Sequence, residues 1–404
     1  MPRDTKERIL RETLLAFSSL RFEDISLATI AKRVGISKTA IFRHFKNKQE
    51  LFDTLDARVL EQVVVLRDQL LAIDRAVLSE AGYRSKVFET LAFFFSGKPE
   101  LLPYLLQKTF NPQTSVVTTM LLEVFESRKA VHSIHDGFDM STMCFFLTQM
   151  VCDYPGDSVT IHRYADAVSQ LIENGFSCFE ELADRRMEEL DELTTVSAEE
   201  TTQDRFFIAL DEVMKQYGPF GISVERIADE LGLANSTIYA TYVSKEMMIR
   251  QTVIKEFLHF GKVLSKRLVY ARSLSEAIYI ILATASSYCS QSIPLSVGII
   301  CWICLNGKLD CNSDDFERFD FQPRQNPELG AFYEQFQKIC DDKSVDVNLI
   351  SRWIMFLPFS YFLMQRLCPE ARLAAYADKL LYRLIRGGVE GSRDTPSCAE
   401  EMTE

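Results

Sequence analysis

A repeat at a fixed offset of 197 residues constrains this chain more than any other feature. Residues 26–52 read SLATIAKRVGISKTAIFRHFKNKQELF, and residues 223–249 read SVERIADELGLANSTIYATYVSKEMMI. Identities recur at Ser26/Ser223, Ile30/Ile227, Ala31/Ala228, Gly35/Gly232, Ile41/Ile238 and Lys48/Lys245. Apolar stays apolar at Val34/Leu231, Ile36/Leu233, Phe42/Tyr239, Phe45/Tyr242 and Leu51/Met248. Two shorter matches follow in the same order. Phe146-Leu147-x-Gln149-x-x-Cys152 recurs as Phe362-Leu363-x-Gln365-x-x-Cys368, and Tyr164-Ala165-Asp166 as Tyr376-Ala377-Asp378. Colinear self-similarity means one structural unit used twice, so the 404 residues read as two copies of a unit of about 200 residues. Only 16 Gly and 12 Pro interrupt the chain, which favours long helices over turn-rich β folds.

Each repeated segment has the pattern of two helices joined by a tight turn. Ser26 is placed to cap a helix whose Leu27, Ile30, Ala31 and Val34 share one face. Gly35 follows where a left-handed stop is needed, and Ile36 anchors the turn. Ser37 caps a second short helix with Ile41 and Phe45 inward and Lys38, Thr39, Arg43 and His44 outward. The second segment repeats this with Ser223, Leu231, Gly232, Leu233, Ile238 and Tyr242. Upstream, Ile9, Leu10, Leu14 and Phe17, and again Phe206, Phe207, Leu210 and Met214, supply a supporting first helix.

On these residues both segments resemble the N-terminal DNA-binding domain of the TetR family of transcriptional regulators, over residues 5–52 and 201–249. Three positions depart from the family pattern. Arg21 stands where Gly is common (Gly218 keeps it), Phe42 replaces the recognition-helix Tyr that Tyr239 keeps, and Ala234 occupies the capping place of Ser37. The resemblance implies an all-α chain of two TetR-like units, each a helix-turn-helix domain followed by a helical-bundle effector and dimerisation domain. The expected division is 1–50 and 51–183 for the first unit, a linker at 184–203, 204–250 and 251–388 for the second unit, and a disordered tail at 389–404. The acidic, Thr/Ser/Glu-rich stretch at the centre reads as the linker; some 20 extended residues would span about 60 Å. The resemblance also implies a double-stranded DNA operator as partner, a small-molecule effector, repression, and a pseudo-dimer formed within one chain.

Charge separates the two reading heads. From Ser26 to Lys48 there are six cations (Lys32, Arg33, Lys38, Arg43, Lys46, Lys48) and no acid, a local charge of +6 in a chain whose net charge is −12. From Ser223 to Lys245, Arg226 and Lys245 face Glu225, Asp229 and Glu230, a local charge of −1. Phosphate contacts dominate nonspecific affinity, so the first head is the convincing DNA reader. Its expected contacts are Ser26, Ser37, Lys38, Thr39, Phe42, Arg43, His44 and Lys48, with Lys38 suited to guanine O6/N7. In the second head they are Asn235, Ser236, Thr237, Tyr239 and Lys245, with Asn235 suited to adenine or, equally, to capping its helix.

Aromatic residues mark candidate effector pockets: Phe94, Tyr104, Phe110 and Phe125 in the first unit, Tyr288 and Trp302 in the second. An apolar or aromatic ligand would suit them, and ordinary core is the competing reading. Cys301-Trp-Ile-Cys304 lies in an apolar run at the spacing of buried helix cysteines, and His132-x-x-His135 in a polar loop, so neither is read as a metal site. No cofactor is expected, and no nucleotide-binding or hydrolase motif appears, so an enzyme is not expected. The start MPRDTKERILRETL has no apolar signal region, and the uncharged stretch 277–307 is broken by polar residues and Pro294, so a cytoplasmic protein without a membrane span is expected.

Overall fold

The computed structural model describes residues 2–17, 25–74, 77–98, 158–201, 204–217, 221–291, 327–342, 346–367 and 377–393, with isolated positions at 100–101, 104–105, 138, 142–143, 145–147 and 150. Every regular element among the described residues is helical. The first head is α1 (Pro2–Ala16), α2 (Leu27–Val34) and α3 (Lys38–Ile41), leading into the long α4 (Lys48–Leu71), then α5 (Glu80–Ser96) and α6 (Ser158–Asn174). After α7 (Asp184–Thr194) and a short 3-10 turn (Ala198–Glu200), the pattern returns. The second head is α8 (Arg205–Tyr217), α9 (Val224–Leu231) and α10 (Asn235–Thr241), leading into the long α11 (Lys245–Leu268). The chain then forms α12 (Leu274–Gln291), α13 (Pro327–Asp342), α14 (Val347–Leu367) and α15 (Ala377–Arg393).

Each head has its own small core. In the first, Ile9, Leu10, Ile30, Ala31, Ile41, Phe45, Leu51 and Phe52 are buried together. In the second, Leu210, Val213, Ile227, Ala228, Ile238, Tyr242 and Met248 are. A third, larger core belongs to both halves of the chain. It joins Phe88, Ile161, Ala165, Val168 and Ile172 from α5 and α6 to Tyr279, Tyr288, Trp353, Leu381 and Ile385 from α12, α14 and α15.

The axis of that core is the packing of α6 on α15. Ile161, Ala165, Val168 and Ile172 recur at helical spacing and bury one face of α6. Gly175 ends it in the left-handed region (φ 54°), and Gly388 lies at φ 64°, ψ −170° inside α15. A Cβ on Gly175 would sit 2.5 Å from Gly388 N and 2.5 Å from Ile385 O, and a Cβ on Gly388 would strike the Glu173 carbonyl. So both conformation and close backbone approach demand glycine at each position. The Phe176 N–H donates to the Ile385 carbonyl at 2.7 Å. Alongside, Tyr382 Oη donates to Glu180 O (2.7 Å), Arg386 Nε to Phe179 O (3.2 Å), and Arg383 pairs with Asp184 (2.8 Å). Buried Trp353 Nε1 donates to Thr142 Oγ1 at 3.1 Å.

The stretch expected as a solvated linker is packed structure. Met187, Leu190, Thr194 and Val196 are buried, and α7 lies on α12. Arg186 grips Glu276 with two bonds of 2.8 Å. Arg267 donates to Thr194 O (3.1 Å), Thr195 O (2.7 Å) and Glu200 (2.8 Å), and Val196 N donates to Ser287 Oγ (2.7 Å). The acidic composition hid one apolar edge: Asp184, Glu188 and Glu189 are exposed while Met187 and Leu190, one turn apart, are buried. The expected tail begins inside α15, which runs past Gly388 to Arg393; positions 394–404 lie outside the described residues.

Buried acids meet where α7, α12 and α15 converge. Tyr279 donates to Asp191 at 2.6 Å, and burial pushes the Asp191 carboxyl above its usual range. Burial raises Asp378 to about 7, reinforced by Asp191 and opposed by Lys379. Burial also raises the Cys289 thiol, which faces Asp378.

Two predictions follow from this packing. Gly175→Ala or Gly388→Ala should each lower the unfolding free energy by about 2–4 kcal/mol. Gly261→Ala, in mid-α11 with nothing within 4 Å of its added methyl, should raise it by about 0.5–1 kcal/mol; urea unfolding reads all three. Because the folded Asp378 holds its proton more tightly than the unfolded chain, stability should fall as pH rises from about 4 to about 7 and then level. Asp378→Asn should flatten that slope in urea titrations across pH.

Candidate nucleic-acid interface

The first head is built by local caps. Ser26 Oγ accepts from Thr29 N at 3.0 Å and starts α2. Gly35 at φ 75° stops it, with Ile36 N donating back to Ala31 O at 3.0 Å. Ser37 Oγ accepts from Ala40 N at 3.1 Å and starts α3. Asn47 caps α4 by accepting from Glu50 N (2.8 Å), while Glu50 accepts from Lys46 N (2.6 Å). Ile41 and Phe45 are fully buried, which turns the opposite side of α3 outward.

That outward side carries the expected residues together. Ser26, Ser37, Lys38, Thr39, Phe42 and Arg43 are exposed, and His44 and Lys48 are half-buried. Phe42 leaves 47% of its surface exposed, so it does not serve the core. Lys48 Nζ sits 5.5 Å from the Phe52 ring centre and Lys6 Nζ 5.3 Å from that of Phe45, each ammonium held over an aromatic face of the core. Lys32, Arg33 and Lys46 are exposed nearby.

The second head repeats the frame. Ser223 Oγ accepts from Arg226 N at 3.2 Å, Gly232 stops α9 at φ 65°, and Leu233 N returns to Ala228 O at 2.8 Å. Ala234 supplies no side-chain cap to α10, as its missing hydroxyl requires. Asn235, Ser236, Thr237 and Tyr239 are exposed. Lys245 is half-buried and donates to the Ile222 carbonyl at 3.2 Å. Arg226 donates to Gly221 O at 2.6 Å and stacks 4.5 Å from the Tyr217 ring centre. Both cations counted for this head are therefore engaged within it.

The surfaces diverge position by position at the same 197-residue offset. Lys32 becomes Asp229, Arg33 becomes Glu230, Lys38 becomes Asn235, Arg43 becomes Ala240 and Lys46 becomes Val243; only Lys48 persists, as Lys245.

Two polar clips escaped the sequence reading. Arg8 Nη2 donates to Val34 O at 2.8 Å, and Arg205 Nη2 to Leu231 O at 3.2 Å; each satisfies a carbonyl at the end of the first turn-flanking helix. Arg58 pairs with Glu7, and Lys255 with Asp204 at 3.2 Å, so each long helix is tied to its supporting helix. The six residues form three pairs at offset 197, Arg8/Arg205, Glu7/Asp204 and Arg58/Lys255, the first identical and the others keeping their charge, and extending the alignment in both directions would have found them.

Three of the six candidate pocket residues are described, and Tyr104 and Phe94 pack in or against the same core. Tyr104 is buried in the first head's core, its ring 4.9 Å from Phe17 and its hydroxyl bonded to Asp56. Tyr288 lies in the shared core, bonded to Glu256. Phe94 is partly buried beside Lys98, whose Nζ lies 4.6 Å from its ring centre. Phe110, Phe125, Trp302, Cys301, Cys304, His132 and His135 lie outside the described residues. Among the described residues no group of three or more metal-binding side chains occurs, and no helix is long and apolar enough to cross a membrane.

A three-helix head with a capped turn, a short outward helix and an exposed basic face defines a helix-turn-helix module of the DNA-reading kind. Residues 9–55 match the family model described as bacterial regulatory proteins, tetR family. The match spans the buried core and outward face of the first head. It supports a DNA-binding domain of the kind found in tetR-family regulators over those residues.

The caps generate a paired prediction. Ser37→Ala should destabilise α3 by about 1 kcal/mol, and Ala234→Ser should stabilise α10 by up to about 1 kcal/mol. Hydrogen exchange at the Ala40 and Thr237 amides reads the two effects separately, faster in the first variant and slower in the second.

Proposed function

We propose that this chain is a ligand-responsive transcription regulator, acting as a repressor, whose two nonidentical heads work as a pseudo-dimer on an asymmetric operator. The carrying observation is that two heads of one frame differ in the cations of their outer face. The recurrence of caps, left-handed glycines and polar clips at one offset supports a duplicated unit, divided near 1–50, 51–183, 204–250 and 251–388. The bonds between residues about 200 positions apart, from Phe176 to Ile385 and from Tyr382 to Glu180, support closure of the dimer-like interface within one chain.

In this reading the first head grips phosphate through its lysines and arginines and reads bases through Lys38, Arg43 and His44, while Thr39 and Ser37 meet the backbone. The second head adds Asn235, Ser236, Thr237 and Tyr239. An apolar or aromatic effector bound among the core helices alters the spacing or tilt of the heads and breaks their joint fit to successive major grooves. A second reading, in which only the first head binds DNA, is favoured by the engagement of Lys245 and Arg226 inside the second head.

Selection from random DNA, followed by footprinting, tests the proposal. An asymmetric site, more stringent under the first head, is expected; a perfect palindrome read equally on both sides would overturn it. Lys38→Ala should weaken the selected site by about 10- to 100-fold, and Asn235→Ala should weaken it less. If Asn235→Ala changes nothing, the second reading holds. Sedimentation in about 0.5 M salt, where surface charge is screened, should give one 46.3 kDa chain; a particle of twice that mass contradicts the pseudo-dimer.

A further inference from the structure

The outer face of the second head carries apolar side chains beside its polar ones. From the turn before α10 to the first turn of α11, Leu233, Tyr239, Val243 and Met247 are all exposed, Val243 by 83%. In the same head Ile238, Tyr242 and Met248 are buried, so these four are not core residues awaiting cover from their own domain. On α9 the exposed positions are Glu225, Asp229 and Glu230. An apolar strip with an acidic margin resembles the centre and rim of a protein interface. Its acids weaken any hold on a phosphate backbone.

The matching surface is on the same chain. The first head exposes the Phe42 ring among Lys32, Lys38, Arg43 and Lys46. Apolar centre meets apolar centre, and acidic margin meets basic margin. We propose that the second head docks against the first head of another copy of this chain. The contact covers the basic face that carries the candidate DNA contacts, so self-association and DNA binding compete. It is a small surface, which makes for a weak and rapidly reversible complex. The net charge of −12 opposes approach of two copies at long range. Salt near 0.1 M, with a screening length of about 10 Å, removes that repulsion while sparing the close pairs; about 1 M, with about 3 Å, weakens the pairs as well.

The proposal goes beyond the reading of the chain as a regulator, and one experiment separates the two. The full chain, without DNA, is sedimented across a concentration series at low, about 0.1 M and about 1 M salt. The expected result is concentration-dependent growth from 46.3 kDa that is strongest near 0.1 M and lost at 1 M. Asp229→Lys combined with Glu230→Lys should weaken self-association by at least about tenfold. Mixing that variant with a Lys32→Glu, Arg33→Glu variant should restore association between unlike copies, a result that misfolding of either cannot produce. A stoichiometric duplex carrying the selected site should dissolve the associate. A chain that stays at 46.3 kDa at every salt and concentration overturns the docking, whether or not it binds DNA. Association unaffected by either charge reversal also overturns it. Footprinting that places the Tyr239 face on DNA in the presence of excess duplex, with no self-association in its absence, assigns the face to nucleic acid instead.

Discussion

Two glycines hold the halves of this chain together. Where α6 crosses α15, Gly175 and Gly388 approach until no side chain fits between them, and the Phe176 amide reaches across to Ile385. Both adopt left-handed φ values that other residues reach only with strain. From that crossing the shared core spreads outward through Ile172, Leu384 and Tyr382 to Trp353 and Tyr279. The heads carry separate small cores, each tied to its long helix by its own ion pair. Their mutual placement is therefore inherited from the central helices.

The two heads share a skeleton and part company at the surface. Ser26 and Ser223, Gly35 and Gly232, Arg8 and Arg205 do equivalent local work, because a helix start, a left-handed stop and an unsatisfied carbonyl need the same chemistry wherever they occur. No such constraint acts on the exposed Lys38 or Arg43, and there the second head carries Asn235 and Ala240. The two cations it does carry are drawn inward, Lys245 to Ile222 and Arg226 to Gly221. The surface residues differ while the frame is kept.

Much of this was legible in the sequence, for physical reasons. Helix caps, glycine stops and the 3.6-residue spacing of Ile30, Val34 and Ile41 are local signals, and the frame of each head follows from them. The central stretch was misread because composition averages over faces: Met187 and Leu190 are few among many acids, yet they decide which side of α7 packs. The Gly175–Gly388 approach and the Asp191–Asp378 cluster depend on residues far apart in the chain, and no local pattern announces them. For the candidate DNA face, charge counting found the basic head, and only the side-chain geometry revealed that the second head's two cations are engaged within it.

The salt dependence of binding to the selected site bears most directly on the claim that grip resides in one head. Six cations in the first head, each releasing counterions at a phosphate, give a slope of log K against log salt of about −5 or shallower. The account predicts a slope in that range. A slope near −10, the value of about two equally gripping heads, would contradict it.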